Sequence, residues 1–127
     1  MTQPDRSRTG VRRLLRIEAA AVAIAMAAVA WTFGPPWWLA LLVLAAPDLA
    51  LTAYTRGPRF GALVYNAAHS YIGPALLFAL WYFADSPTAG SVATLWALHI
   101  GADRALGFGL KYPTGFADTH LGQIRRR

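Results

Sequence analysis

The stretch RLLRIEAAAVAIAMAAVAWTF, residues 13–33, decides the fold. No charged side chain occurs from Ala19 to Phe33, and Gly34, Pro35 and Pro36 then force a turn, because proline lacks the N–H that a continuing helix needs. Twenty-one residues at about 1.5 Å each cover the roughly 30 Å of a hydrocarbon core. Three further apolar segments follow: residues 37–54, ended by TRGPR; residues 60–83, ended by ADSPTAG; and residues 88–112. The pattern predicts an all-α polytopic membrane protein, a four-transmembrane-helix bundle in a single domain over residues 1–127. Short connections make neighbouring helices antiparallel. Residues 1–10 are expected to form a mobile arm, and residues 113–127 a polar tail.

Composition agrees. The chain is 56% hydrophobic and 14% charged, where soluble domains carry about 25% charged residues. It has no cysteine, which excludes disulfides, thiolate metal sites and cysteine nucleophiles. The net charge of +6 does not point to nucleic acid: the basic residues sit at chain ends and in one short loop, with no basic face or groove of stacking aromatics. An arginine-rich start before an alanine-rich run imitates a cleavable secretory signal. The run continues through WTF, however, and the chain behind it is membrane-like, so the first span is read as uncleaved.

Lysine and arginine set the orientation. Arg6, Arg8, Arg12, Arg13 and Arg16 precede the first span, Arg56 and Arg59 lie between the second and third, and Lys111, Arg125, Arg126 and Arg127 follow the fourth. The other two loops have none, which predicts both termini and the middle loop on the cytoplasmic side. Membrane lipids are thus the first expected partner, and the terminal RRR is read as an anchor on the anionic leaflet.

Against this background the stretch WALHIGADRALGFGLKY, residues 96–112, is out of place, with His99, Asp103, Arg104 and Lys111 in a segment that should be greasy. Asp48, Asn66, His69 and Glu18 also lie inside spans. Counted from the cytoplasmic helix ends, Asp48 comes out about 9 Å deep, Asn66 and His69 about 10 and 15 Å, and Asp103 and His99 about 12 and 18 Å. An ionisable group facing lipid at such depth costs about 3 kcal/mol or more. These groups are therefore expected to face one another in a shared pocket open to the cytoplasm. His99 and Asp103, four apart, share a helix face, as do Asn66 and His69. Pro47 and Pro74 mark places where a span can bend and free carbonyls.

The stretches GPRFGALVYNAAHSYIGP, HIGADRALGFGLKY and GFADTHLG, in this order, resemble a family of small bacterial membrane proteins, domain of unknown function 4260, over residues 16–122. The resemblance implies a compact multi-span protein of the bacterial inner membrane and brings no activity with it. The motif residues it singles out are Tyr65, Asn66, His69, Ser70, His99, Asp103, Arg104, Lys111, Asp118 and His120. HS on one helix and HIGAD on another also look loosely like membrane-bound metal-dependent hydrolases.

Several readings of the cluster compete. In the first, Asp48, His69, His99 and Asp103 are ligands of a divalent metal, Zn, Fe or Mn, with Glu18 an alternative to Asp48. Asp118 and His120 then fold back as general acid and base. Asn66, Arg104 and Lys111 bind the polar or anionic part of a lipid-like substrate, which is hydrolysed. In the second, no cofactor is bound and the cluster is a buried network that sets helix register, with Glu18 paired to Arg104, Arg16 or Arg13. A proton or transport path is disfavoured, since the outer halves of the spans carry no polar groups of this kind. As a non-catalytic accessory subunit, the chain would use its outer aromatic faces against a larger membrane complex or a second copy. For Lys111, a cation at the end of the fourth helix is by itself a sufficient structural reason.

Overall fold

The computed structural model describes residues 6–124, with side chains from residue 8 onward. The chain forms α1 (Arg6–Phe33), α2 (Trp37–Ala45), a 3₁₀ helix (Ala46–Arg56), α3 (Pro58–Ala68), α4 (Ile72–Ala84) and α5 (Pro87–Leu106). A two-stranded antiparallel hairpin, β1 (Asp118–Thr119) and β2 (Gly122–Gln123), follows. Three segments are long and apolar enough to cross a membrane: Arg8–Phe33, Trp37–Arg56 and Pro58–Ala84. Their outward side chains suit lipid rather than water: Ile24 is 73% exposed, and Leu76, Trp31 and Phe83 stand out similarly. The protein is thus a largely helical, membrane-type structure. Residues 6–10, expected in a mobile arm, are the first turns of α1. Residues 1–5 and the terminal RRR lie outside the described residues.

The fourth long helix, α5, is less apolar than the other three segments, and its position explains why. It is packed by α1, α2 and α4, and Ala89, Gly90, Ser91, Ala93, Thr94, Ala97, Ile100 and Gly101 are buried along it. A helix surrounded by protein is selected for small residues that allow close approach. At Gly101 an added Cβ would lie 3.0 Å from the Ala19 carbonyl oxygen and the Ala23 nitrogen of α1. The buried Thr94 hydroxyl donates within its own helix, to the carbonyls of Gly90 and Ser91, so it needs no partner elsewhere.

Three boundaries differ from the apolar segmentation. The second segment is α-helical only to Ala45; Pro47 has no N–H to offer Val43, and tighter i→i+3 pairing runs from Ala46 to Arg56. The third segment breaks between His69 and Tyr71, and Pro74 sits in the first turn of the new helix. The fourth stops at Leu106, not Tyr112: Gly107 takes the left-handed conformation (φ 99°), and the Phe108 amide reaches back to the Asp103 carbonyl at 2.8 Å, a common way to close a helix.

The C-terminal segment is more than a polar tail. Lys111, Thr119 and Leu121 are buried. Lys111 is bridged to Thr119, and the Leu110 and His120 backbones are joined at 3.0 Å. Residues 107–124 thus pack into the arginine-bearing end of the helices.

Candidate metal centre

The helix breaks place four side chains around one point. Asp48 comes from the 3₁₀ helix, His69 from the end of α3, and His99 and Asp103 from one face of α5. The rise of the 3₁₀ helix matters here. Asp48 lies eight residues from Arg56, about 16 Å at roughly 2.0 Å per residue. His69 lies eleven residues from Pro58, also about 16 Å at the α-helical rise. An α-helical second span would leave Asp48 several ångströms short, as the sequence-based depth of about 9 Å did.

The four ligand atoms lie within 4.8 Å of one another. His69 Nε2 and His99 Nε2 are 3.2 Å apart. Asp48 Oδ1 is 3.4 Å from each imidazole, and Asp103 Oδ2 is 3.4 Å from His69 and 3.3 Å from His99. Five of the six separations are thus 3.2–3.4 Å, and the two carboxylate oxygens are within 4.8 Å of each other. A regular tetrahedron of that shorter edge has its corners about 2.0 Å from its centre, the distance at which zinc binds histidine nitrogen and carboxylate oxygen.

The far side of each imidazole fixes its proton. His99 Nδ1 donates to the Leu44 carbonyl at 2.7 Å, next to the point where α2 gives way to the 3₁₀ helix. His69 Nδ1 donates to the Tyr65 carbonyl at 3.0 Å. A carbonyl can only accept, so Nδ1 carries hydrogen, and in the neutral ring Nε2 presents a lone pair. Four acceptors then converge with no donor among them, which only a cation or added protons can relieve. Hydrogen-bonding the outer nitrogen to a carbonyl is also how metal-bound histidines are oriented. Tyr65 stacks on the His69 ring at 3.8 Å and 8°, which holds it further.

No lysine or arginine of the described residues lies within ion-pair distance of Asp48 or Asp103; their partners are the two histidines. Arg104, expected as a counter-charge, donates instead to the His69 carbonyl at 3.3 Å and lies over the Tyr71 ring. Its Nε is buried without a hydrogen-bond partner. Glu18 forms no ion pair within the described residues. It lines a cavity of about 150 Å³ with Arg104, Tyr71 and His120.

The remaining sequence-selected residues hold the C-terminal segment in place. The Asn66 amide grips the Lys111 backbone from both ends, donating to its carbonyl at 2.8 Å and accepting from its N–H at 2.7 Å. Lys111 is not at a helix end. Its ammonium donates to the Phe116 carbonyl at 2.9 Å and sits against the Tyr65 and Phe116 rings at 4.6 and 3.7 Å. Burial pulls its pKa below the usual lysine range, and Asp103 partly opposes this. Asp118 accepts from the Thr114 hydroxyl. His120 Nδ1 accepts from the Leu110 N–H at 2.8 Å; burial and then Arg104 lower its pKa, favouring the neutral ring. Neither Asp118 nor His120 belongs to the converging group.

Sequence reasoning passed over two contributors. The Leu44 carbonyl is invisible as a residue type, though Pro47 signalled that a carbonyl nearby would be freed. Trp96 Nε1 donates to the Ala68 carbonyl at 2.7 Å, steadying the backbone beside His69. Trp96 also borders an apolar groove of about 450 Å³ lined by Leu42, Val43, Pro47 and Val92. Pro47 and Ala68, both on its wall, immediately precede Asp48 and His69 in the chain. Asp48 is the open member of the group, its side chain 55% exposed against 4% and 9% for the two histidines.

Neither a curated protein nor a solved structure shows significant similarity to this chain. The model of a domain of unknown function, DUF4260, matches residues 12–124. That range takes in most of α1, every later helix and every residue of the converging group, and the chain belongs to the DUF4260 family.

Proposed function

We propose that this protein is a four-span enzyme of the bacterial inner membrane that binds one divalent metal and hydrolyses an ester of a membrane amphiphile. In this reading α5 is the fourth span and both termini face the cytoplasm, as the lysine and arginine distribution implies. The observation that carries the proposal is the convergence of His69 Nε2, His99 Nε2, Asp48 Oδ1 and Asp103 Oδ2 within 4.8 Å, each carboxylate oxygen 3.3–3.4 Å from both imidazoles, with both Nδ1 atoms committed to carbonyls. Two carboxylates and two neutral imidazoles match one divalent charge. A purely structural network of carboxylates and protonated histidines fits less well. Direct charge-assisted N–H···O contacts close to about 2.7–2.9 Å, and these stand at 3.3–3.4 Å.

Asp48, His69, His99 and Asp103 would hold the ion, which would supply Lewis-acid chemistry and a water activated near neutral pH. Hydrolysis would add the water oxygen to the acyl or phosphoryl centre as the bond to the leaving oxygen breaks, with the water's proton ending on that leaving oxygen. The second carboxylate oxygen of Asp48, the exposed member, is the group placed to pass that proton while Oδ1 stays with the ion. The groove beside Pro47 and Trp96 supports an alkyl-chain substrate entering from the bilayer with its polar head at Asp48. Membrane lipids are accordingly the expected partners.

Metal content of the detergent-purified protein tests the centre. One zinc or cobalt per chain is expected, with a tetrahedral cobalt spectrum, and His69→Ala, His99→Ala and Asp103→Asn should each abolish it while the protein still elutes as a folded species. A wild type that takes up no metal after dialysis against zinc or cobalt would end the proposal. Hydrolysis of p-nitrophenyl decanoate over p-nitrophenyl butyrate, lost in the same variants, tests the reaction. Co-purification of a fixed partner protein with no such activity would favour the accessory-subunit reading.

A further inference from the structure

A second polar hollow lies away from the metal centre. It is a cavity of about 590 Å³ between the first turns of α1 and the C-terminal segment. Arg12, Arg13 and Arg16 line it, and Leu106, Phe108 and Leu121 form apolar parts of its wall. No acidic residue lines it, and none of the three arginines forms an ion pair among the described residues. Three guanidiniums therefore share one hollow that no carboxylate of the described residues lines.

Two of them are held in place. Arg16 Nε donates to the Ala105 carbonyl at 2.9 Å, at the end of α5, a favourable place for a cation. Its guanidinium lies against Gly107, where a Cβ would sit 3.8 Å away. Arg12 lies against Gly122, where a Cβ would come within 3.0 Å of Nη1. Both glycines have positive φ, 99° and 111°, a backbone conformation that side chains disfavour. The α5 cap and the hairpin turn thus form the wall on which these guanidiniums rest.

We propose that this hollow binds the phosphate of an anionic membrane lipid, with the upper acyl chain carbons against Leu106 and Phe108. Charge complementarity and position carry the assignment. Basic pockets between spans at the membrane surface bind anionic headgroups, and each nearby cation contributes about 1 kcal/mol. Planar guanidiniums suit phosphate oxygens in pairs. The apolar wall residues favour a lipid over a free anion. The inference is independent of the metal reading, since no ligand of that centre lines the hollow.

The test is native mass spectrometry of the full-length protein in detergent with equimolar dioleoyl phosphatidylglycerol and dioleoyl phosphatidylcholine, at low salt. Inorganic phosphate is titrated by calorimetry in a separate arm. Wild type should retain one phosphatidylglycerol in preference to phosphatidylcholine. Arg12→Gln with Arg13→Gln, which leaves the Arg16 contact to α5 intact, should weaken that retention by about 30-fold with the melting temperature unchanged. Inorganic phosphate binding as tightly as the lipid would overturn the lipid assignment in favour of a soluble anion. Equal retention of both lipids, or unchanged retention in the double variant, would overturn the site altogether.

Discussion

Gly61→Ala couples packing to the metal centre. The new Cβ would lie 2.4 Å from two ring carbons of Tyr54 and 2.7 Å from a third. Carbon atoms rest about 3.5–4.0 Å apart, so ring and helix must separate by about 1 Å or more. The clash involves the ring atoms nearest the Tyr54 backbone, and the same ring makes an edge contact with Phe116 at 5.4 Å. Atoms so close to the backbone move little on a rotamer change, so the displacement is expected to pass to the 3₁₀ helix. That helix carries Asp48, while α3 carries Gly61 and His69. Metal sites tolerate ligand errors of about 0.2 Å, so a shift of this size amounts to losing Asp48 as a ligand. Overpacking should cost about 1–3 kcal/mol of stability, and metal affinity should fall by about 100-fold, the scale seen when a ligand loses its support. The assay is cobalt titration followed by its visible spectrum, with the melting temperature measured in parallel. Tyr54→Ala added to Gly61→Ala removes the clashing ring and should recover most of the metal affinity. A Gly61→Ala protein that binds cobalt like wild type, or a double variant with no recovery, would refute the reasoning.

Three further outcomes are expected. Tyr65→Ala removes the ring stacked on His69 and facing Lys111; it should cost about 3–5 kcal/mol and about tenfold or more in metal affinity, whereas Tyr65→Phe should keep cobalt binding at the wild-type level. Asn66→Leu strands both the N–H and the carbonyl of Lys111, at about 1–3 kcal/mol for each group, and limited proteolysis should then cut within residues 107–124 at least tenfold faster than in wild type. His120 has its pKa lowered by burial and by Arg104, so the unfolded chain takes up its proton first as pH falls. Its contribution to stability is present above the unfolded value of about 6.5 and is lost below it. Thermal melts in chelator should fall more steeply from pH 7 to pH 5 for wild type than for His120→Gln.

The helical, membrane-type architecture was legible because hydrocarbon imposes a length and a polarity on any segment that crosses it. Residues 13–33 announce the first span, and prolines and glycines mark where spans end. The four converging residues were legible for the same reason. Lipid makes an isolated aspartate or histidine costly, so Asp48, His69, His99 and Asp103 had to find one another. Lys111 was harder, since a cation near an apolar segment reads equally as a helix end, and only its burial against Tyr65 and Phe116 shows otherwise. The pairing expected of Glu18 with Arg104, Arg16 or Arg13 does not form among the described residues either: Arg104 is taken by the His69 carbonyl and the Tyr71 ring, and Arg16 by the Ala105 carbonyl.

The amino-acid order by itself determined which residues could not face lipid, and hence that a polar centre had to exist. Only the tertiary structure decided its geometry. Whether Asp48 reaches His69 depends on the rise of a 3₁₀ helix, and the proton position on His99 depends on a carbonyl freed near a proline. The burial of Lys111 depends on a C-terminal segment folding back into the helices. These are relations between distant backbone segments, set by which groups remain without partners once the helices pack, and no local pattern encodes them.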